Sequence, residues 1–478
     1  GAPSRLLVHL PPHERGAVEG LDAAGAAQAA PQAWDDADAL VIVGNPFATH
    51  PVSARRLIRW RQTHVMKPVI VIDSAAGMTA QFAPYHVICR PGYEYHVVNA
   101  LLTSAGASGT TDRLPGKAVA QRTINGSGVD SERVNRAAMQ LRSAQRPAVV
   151  LAPSSGRADV WRALSHAAAD WASQRGGTCT VLTGSANALA ISRYMRQHDL
   201  ADWSETCAAD ASNEPHVLLV VGWDPSSAYP RAIWGPAVHR AQHVVLATAF
   251  PPAEADWVDQ VLPLALPPEA GGTYILAAGQ PCKVEPLMTP PAGIPSVREL
   301  FHAIGERAGI AIVGPALDVA ASGARVPDVP APQPPSAQAT GTWPAVLVAD
   351  PTQYFDGQIT RHSRWCQQLR LNPELWVSPA DAGQIGLVNG QEARIRNAQG
   401  EAIVRIVIAA DQPAAGGCAA EVVVDGNRPV GWLAVSGSFA EIRRLGDAEH
   451  GAWDGTIHID VEPLGHAPGV EEAAHANA

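Results

Sequence analysis

Three short stretches of this chain are apolar at every position. Ala39-Leu-Val-Ile-Val43, Val69-Ile-Val-Ile72 and Val217-Leu-Leu-Val-Val221 run without a polar residue and stop at Gly44, Asp73 and Gly222. A strand with one wet face alternates polar and apolar side chains. A run with no alternation fits a strand covered on both faces, the setting of a parallel sheet with helices on each side. The sequence between the runs supplies those helices. Thr49 is placed to cap a helix with Val52, Leu57, Ile58 and Trp60 on its apolar face. His86–Arg90 reads as another strand, with Tyr95, Val98, Leu101 and Leu102 as a helical stripe behind it. Leu6–Leu10 reads as an opening strand. The pattern predicts a doubly wound α/β lobe over residues 1–105, with loops at the strand C-termini.

The Gly-, Ser- and Thr-rich stretch from 106 reads as a crossing into a second α/β lobe spanning 106–313. Its expected strands include Ala148–Leu151, Cys179–Leu182, Val217–Val221 and Val244–Ala247, with helices over 130–143 and 160–172. Ser296-Val-Arg-Glu299 is a capping box opening a helix with Val297, Leu300, Phe301 and Ile304 inward. Residues 314–343 hold a Pro cluster that bars helix and inner strand, so they read as an exposed linker. From 344 to 465 short strands follow one another, split by Asn389-Gly390 and Gln399-Gly400 turns. They are Val346–Ala349, Trp376-Val377, Ala393–Arg396, Ala402–Ile408 and Glu421–Val424, with a short helix opened by Ser378-Pro379. This predicts a small β-barrel domain, and 466–478 reads as a loose tail.

Length agrees with this division, since 478 residues at roughly 150 per domain give about three domains. The net charge is −10 with 17% charged residues, which leaves no basic stripe for nucleic acid. No apolar run approaches the ~20 residues that cross a bilayer. The six cysteines are scattered without a Cys-x-x-Cys pair, so a cluster held by this chain is not expected. Dispersed thiols and the lack of a leader point to a reduced, cytoplasmic setting. His50, His64, His86 and His96 fall in one lobe without metal-ligand spacing, so no metal site is expected. Walker-type, Gly-x-Gly-x-x-Gly, His-Glu-x-x-His and nucleophile-elbow motifs are missing.

What remains are loops at strand ends: Gly44-Asn45-Pro46, Asp73-Ser74, Arg90-Pro91-Gly92, Gly222-Trp223-Asp224-Pro225 and Gly271-Gly272-Thr273. Open α/β sheets bind ligands at such ends, where Gly admits a phosphate and Asn or Asp can bond a base or ribose. Each loop read singly is more often a plain turn.

Taken in order, these segments resemble the molybdopterin oxidoreductase superfamily. The resemblance rests on Gly44-Asn-Pro-Phe-Ala-Thr-His-Pro51, Val69–Asp73, Arg90-Pro-Gly92 and Leu219-Val-Val-Gly-Trp-Asp-Pro225. It continues through Ala255–Pro263, Gly271-Gly-Thr273, Gly357-Gln-Ile-Thr-Arg-His-Ser363 and Val377–Gly390. It implies two Rossmann-like lobes and a barrel of double-psi type. It also implies nucleotide contacts from Asn45, Asp73, Gly92, Gly222, Asp224, Gly272, Thr273, Thr360 and Arg361.

The chain departs from the family where charge matters. The Asp-Pro-Arg after the second strand is Asp73-Ser74-Ala75, and the later Gly-Arg is Gly279-Gln280. No Cys precedes Gly44, and Ser4 is the only Ser there. The reading that follows is a non-catalytic branch, akin to the C-terminal region of the large iron–sulfur subunit of NADH:quinone oxidoreductase (complex I). That reading expects no cofactor, no metal and no catalytic residue on this chain, and partners that include iron–sulfur subunits and reach the membrane only through them. The alternatives are a bis-pterin molybdenum or tungsten enzyme of formate dehydrogenase type whose cluster and metal-ligand segment is not in this sequence, carrying molybdopterin guanine dinucleotide, and a degenerate subunit of a formylmethanofuran-dehydrogenase-like complex.

Overall fold

The computed structural model describes residues 6–74, 78–89, 92–106, 127, 129, 131–153, 156–200, 202–203, 217–222, 224–227, 231–252, 254–311, 329–333, 345–350, 362–368, 374–377, 379–397, 400–408, 432–436 and 456–464. Contacts divide the chain into one unit of 1–335 with 447–454 and a second of 336–446 with 455–478.

The first unit is built on a parallel sheet of β1 (Ala39–Gly44), β2 (Val69–Asp73), β3 (Tyr85–Ile88), β4 (Pro147–Ala152) and β5 (Thr178–Val181), in the order β3-β2-β1-β4-β5. Every residue of β1 and β4 is buried, as the unbroken apolar run of β1 requires. The topology corrects the boundary expected at 105/106, because β4 and β5 extend the first sheet. A doubly wound sheet must carry the chain back across its starting strand, and the long connection that does so reads in sequence like a crossing between lobes. β4 registers against β1 from Ala39↔Pro147 to Gly44↔Ala152.

Leu6–Leu10 is not a sheet strand; Val8 makes an isolated bridge to Asp202. The first regular element is α1 (Pro12–Ala23), which packs on α7 (Ala158–Gln174). Gly16 and Gly20 make the crossing possible. A Cβ at Gly16 would lie 2.1 Å from the Ala158 carbonyl oxygen, and one at Gly20 2.1 Å from that of Arg162. Ion pairs flank the seam: Arg162 bonds Glu19, and Arg193 and Arg196 both bond the buried Asp22. Around the sheet lie α2 (Pro46–Thr49), α3 (Pro51–Thr63), α4 (Met78–Phe82), α5 (Glu94–Ser104), α6 (Ser131–Leu141) and α8 (Ala188–Gln197). α3 buries Leu57 and Trp60 as expected, but Val52 and Ile58 face solvent and the residue at its N-cap is His50.

A second, three-stranded parallel sheet holds β6 (Val217–Val221), β7 (His243–Thr248) and β8 (Gln260–Pro263) in that order. α9 (Arg231–Arg240) covers it through Trp234 and Val238, which cluster with Val244, Leu246 and Trp257. β9 (Gly272–Ile275) and β10 (Pro281–Val284) form a separate antiparallel hairpin. α10 (Val297–Ala308) has the expected Ser296/Glu299 capping box. Its apolar stripe is not the inward face expected: Val297 and Ile304 are each 41% exposed, and Gly305 is its buried residue.

The second unit contains a closed barrel ordered β11-β15-β12-β14-β13-β16. The strands are β11 (Ala345–Asp350), β12 (Glu374–Val377), β13 (Glu392–Asn397), β14 (Gly400–Ile408), β15 (Trp432–Ser436) and β16 (Thr456–Pro463). Along β14, Ala402, Val404 and Ile406 are buried while Glu401, Ile403 and Arg405 are exposed, the alternation of a strand with one wet face. The helix opened by Pro379 is α11 (Pro379–Ile385). The expected strand at Glu421–Val424 and the tail 466–478 lie outside the described residues. Within the expected linker, the described residues 329–333 include a buried Pro332, and Val329 packs on the first core, so this part lies against the lobe.

Candidate functional site

The C-terminal ends of β1, β2 and β3 bring Asn45, Asp73 and Gly92 to one edge of the first sheet. Asn45 is buried, and its Oδ1 accepts from Thr79 Oγ1 at 2.7 Å. Thr79 Oγ1 in turn accepts from the Phe47 N–H, and the Phe47 and Phe82 rings lie 5.0 Å apart. Asn45 thus ties the loop after β1 to α4. Asp73 Oδ1 accepts from the Ser74 N–H at 2.7 Å, and Ser74 Oγ donates to Glu94 Oε1 at 2.6 Å. The strand end therefore gathers two carboxylates around one serine. Behind them lies Cys89, whose thiol is held well above its usual range by burial and then by the charges of Glu94 and Asp73. Burial likewise lowers the neighbouring His96, to about 4.

This edge is rich in acceptors. A carboxylate at the end of the second strand is where a dinucleotide-binding lobe bonds ribose hydroxyls. Asp73 has that position, and Glu94 adds an acceptor suited to hydroxyls or to the N–H edge of a base. The phosphate half fits less well. The helices after β1 open at Pro46 and Pro51, which lack the N–H groups a helix N-terminus would offer an anion. Gly44 is required by packing: its Cβ would lie 2.2 Å from the Ala152 carbonyl oxygen.

A second convergence, not anticipated from sequence, surrounds the loop after β5. Glu14 of α1 is buried, and its Oε1 accepts from the N–H groups of Gly184 at 3.0 Å and Ser185 at 3.1 Å. Burial raises its carboxyl to about 7 despite those bonds. His50, with Nδ1 2.7 Å from Thr49 Oγ1, turns toward the Thr183 backbone, and burial lowers its pKa. Asn187, at the end of the same loop, bonds the backbone of β9. Helix-start signals could have flagged Glu94, which follows Pro91-Gly92. Glu14 and Asn187 act on partners too distant in sequence for any local signal.

The other candidates lie on other elements. Gly222, φ +80°, ends β6 with open space where a side chain would be. Asp224 is buried, and its Oδ1 accepts from the Ser226 N–H and Oγ, so it shapes that turn. Gly272 and Thr273 open β9. Thr360 and Arg361 lie outside the described residues. Among the described residues no group of three or more His, Cys, Asp or Glu could hold a metal ion, and no helix is long and apolar enough to cross a membrane.

Residues 346–422 match the molydopterin dinucleotide binding domain family. Among solved structures, acetylene hydratase from Pelobacter acetylenicus is similar at 11% identity and TM-score 0.67, over 95% of this chain and 81% of that one. The formyltransferase/hydrolase complex of Methylorubrum extorquens with methylofuran matches at 14% identity and TM-score 0.40, over 62% of this chain and 81% of that one. No curated protein matches by sequence. This chain has the molybdopterin oxidoreductase fold, and its segment 346–422, which includes four strands of the closed barrel, matches the molydopterin dinucleotide binding domain family.

Proposed function

We propose that this chain binds the nucleotide part of a molybdopterin dinucleotide as one subunit of an oxidoreductase assembly. The observation that carries the reading is the dinucleotide-binding domain match across 346–422. Asp73 at the end of β2 supports it, since a carboxylate there accepts from a ribose diol. In this reading the Ser74 N–H fixes that carboxylate, Glu94, held by Ser74 Oγ, offers a further acceptor, and Asn45 holds the loop beside it. The open turns at Gly222 and Gly272 admit backbone contact. The resemblance assigns Thr360 and Arg361 a phosphate contact, for which a guanidinium offers two parallel bonds. The bound group would supply the redox chemistry, and the residues named here bind and orient its nucleotide.

A second reading is the cofactor-free structural subunit of an electron-transfer assembly of the complex I or formyl-transferring kind. The prolines at the two helix starts after β1 favour it, together with Asp73-Ser74 in place of Asp-Pro-Arg. One measurement separates them. The purified chain, with whatever subunits accompany it, is oxidised and assayed for pterin fluorescence, released guanine nucleotide and molybdenum or tungsten. The first reading expects pterin and nucleotide in stoichiometric amount. Their absence from the intact assembly would leave the second.

A further inference from the structure

Asn187 has φ +61°, in the left-handed region, although it is not glycine. Its side chain explains why that conformation is kept. Nδ2 donates to the Thr273 carbonyl at 3.0 Å, and Oδ1 accepts from the Ile275 N–H at 2.7 Å. One carboxamide thus bonds β9 as a neighbouring strand would. β9 and β10 form a two-stranded sheet, which is marginal by itself in water. Ile275 packs on the core of the first lobe, so an apolar side chain and the Asn187 amide both fasten this hairpin to the lobe.

The two glycines at its start have different causes. A Cβ at Gly271 would lie 2.6 Å from the Val284 carbonyl oxygen, so closure of the hairpin demands glycine there. At Gly272, φ +147°, a Cβ would meet nothing within 4 Å. The turn is therefore closed on its inner side and open on its outer side, as a backbone surface for a ligand must be. Strained non-glycine backbone persists where the surroundings over-determine it, often at ligand clamps.

We propose that Asn187 is a positioning residue for nucleotide binding: it fixes the Gly272-Thr273 turn to the first lobe so that the backbone of that turn can meet a guanine nucleotide. The inference rests on the nucleotide-binding reading above. It names a residue that touches no ligand itself and acts through the turn.

The test uses Asn187→Gly, which tolerates the backbone angle but removes both bonds, and Asn187→Asp, which keeps an acceptor for Ile275 and sets a charge against the Thr273 carbonyl. Hydrogen exchange of the Ile275 amide and the affinity for guanosine 5′-diphosphate are measured on the full chain with its subunits. If the preparation already carries guanine nucleotide, the amount released per chain is read instead. In Asn187→Gly, exchange at Ile275 should speed up about tenfold, the scale of one lost hydrogen bond. Affinity or content should fall by a similar factor while the thermal midpoint stays within about 4 °C of wild type. Asn187→Asp should keep more of the Ile275 protection and still bind weakly. Unchanged Ile275 exchange would overturn the fastening. Wild-type affinity in Asn187→Gly would overturn the positioning role and leave the nucleotide reading intact. A wild-type protein that neither binds nor carries guanine nucleotide would sink that reading and this inference with it.

Discussion

The two parallel sheets of the first unit use similar sequence and reach different degrees of burial. β1 and β4 are buried at every residue, whereas β6 has an exposed end and half-buried residues, and β8 is mostly exposed. Against the first sheet a large core cluster gathers residues of α1, α5, α6, α7 and α8, and Leu40, Ile42, Leu57 and Trp60 are fully buried outside that cluster. Around the second, the cluster is small and centred on Trp234 and Trp257. Downstream of it Leu276, Leu287, Met288, Val297, Ile304 and Ile310 are exposed. An apolar run therefore specifies a strand, while its burial depends on how many elements the chain can bring to both faces. Among the described residues the first region has the larger buried core, and the β9–β10 hairpin downstream of the second sheet is tied to the first lobe by the Asn187 amide.

That contrast can be broken most severely at the α1–α7 crossing. Gly20→Val should destabilise the first region by about 3 kcal/mol or more, because its Cβ meets backbone that cannot move aside. Denaturant titration followed by near-ultraviolet circular dichroism would show it. An equal loss from Gly235→Val in α9, where the nearest atom is the flexible Arg231 Cγ at 3.3 Å, would show that the two regions do not differ in this way.

Next in size is a pH effect confined to the first region. The folded Glu14 carboxyl titrates at about 7, against 4.5 as its ordinary value. A raised acid pKa means the folded state favours the protonated form. Its contribution is therefore fully present below about 4.5 and lost as pH rises through 7. The difference is on the order of 3 kcal/mol between those limits. Glu14→Gln keeps an acceptor for Gly184 and Ser185 and removes the titration. Its stability should exceed wild type at pH 8 and converge with it at pH 5, measured by denaturation midpoints. Parallel pH profiles would refute the assignment.

Smaller effects belong to the second region. Ser296→Ala removes the N-cap of α10 and should cost about 1 kcal/mol of local stability, visible as faster amide exchange in its first turn. Leu287→Ser, at 78% exposure, should change global stability by no more than about 0.5 kcal/mol. A large loss at Leu287 would mean this face is covered and the contrast is smaller than described.

How far the sequence reveals this depends on distance along the chain. β1, β2, β6 and the barrel strands β13 and β14 are legible because each shows its own period. The partner of β1 is not, since β4 arrives only after a long connection. α1 is hidden because Gly16 and Gly20 lower helix propensity at the positions where close packing requires them. In the candidate site, Asn45 and Asp73 are legible as polar residues that end apolar runs. Glu14 and Asn187 are not, because what distinguishes them is a bond to a backbone group far away in sequence.

The order β3-β2-β1-β4-β5 also bears on how the chain is made. On a ribosome β1, β2 and β3 emerge together and can pair at once. The other edge of β1 waits for β4, more than a hundred residues later. Through that interval an apolar strand shows an unpaired backbone edge, the geometry that recruits strands from other chains. Nascent chains paused before residue 147 should bind holding chaperones and aggregate readily, and release past residue 152 should end both.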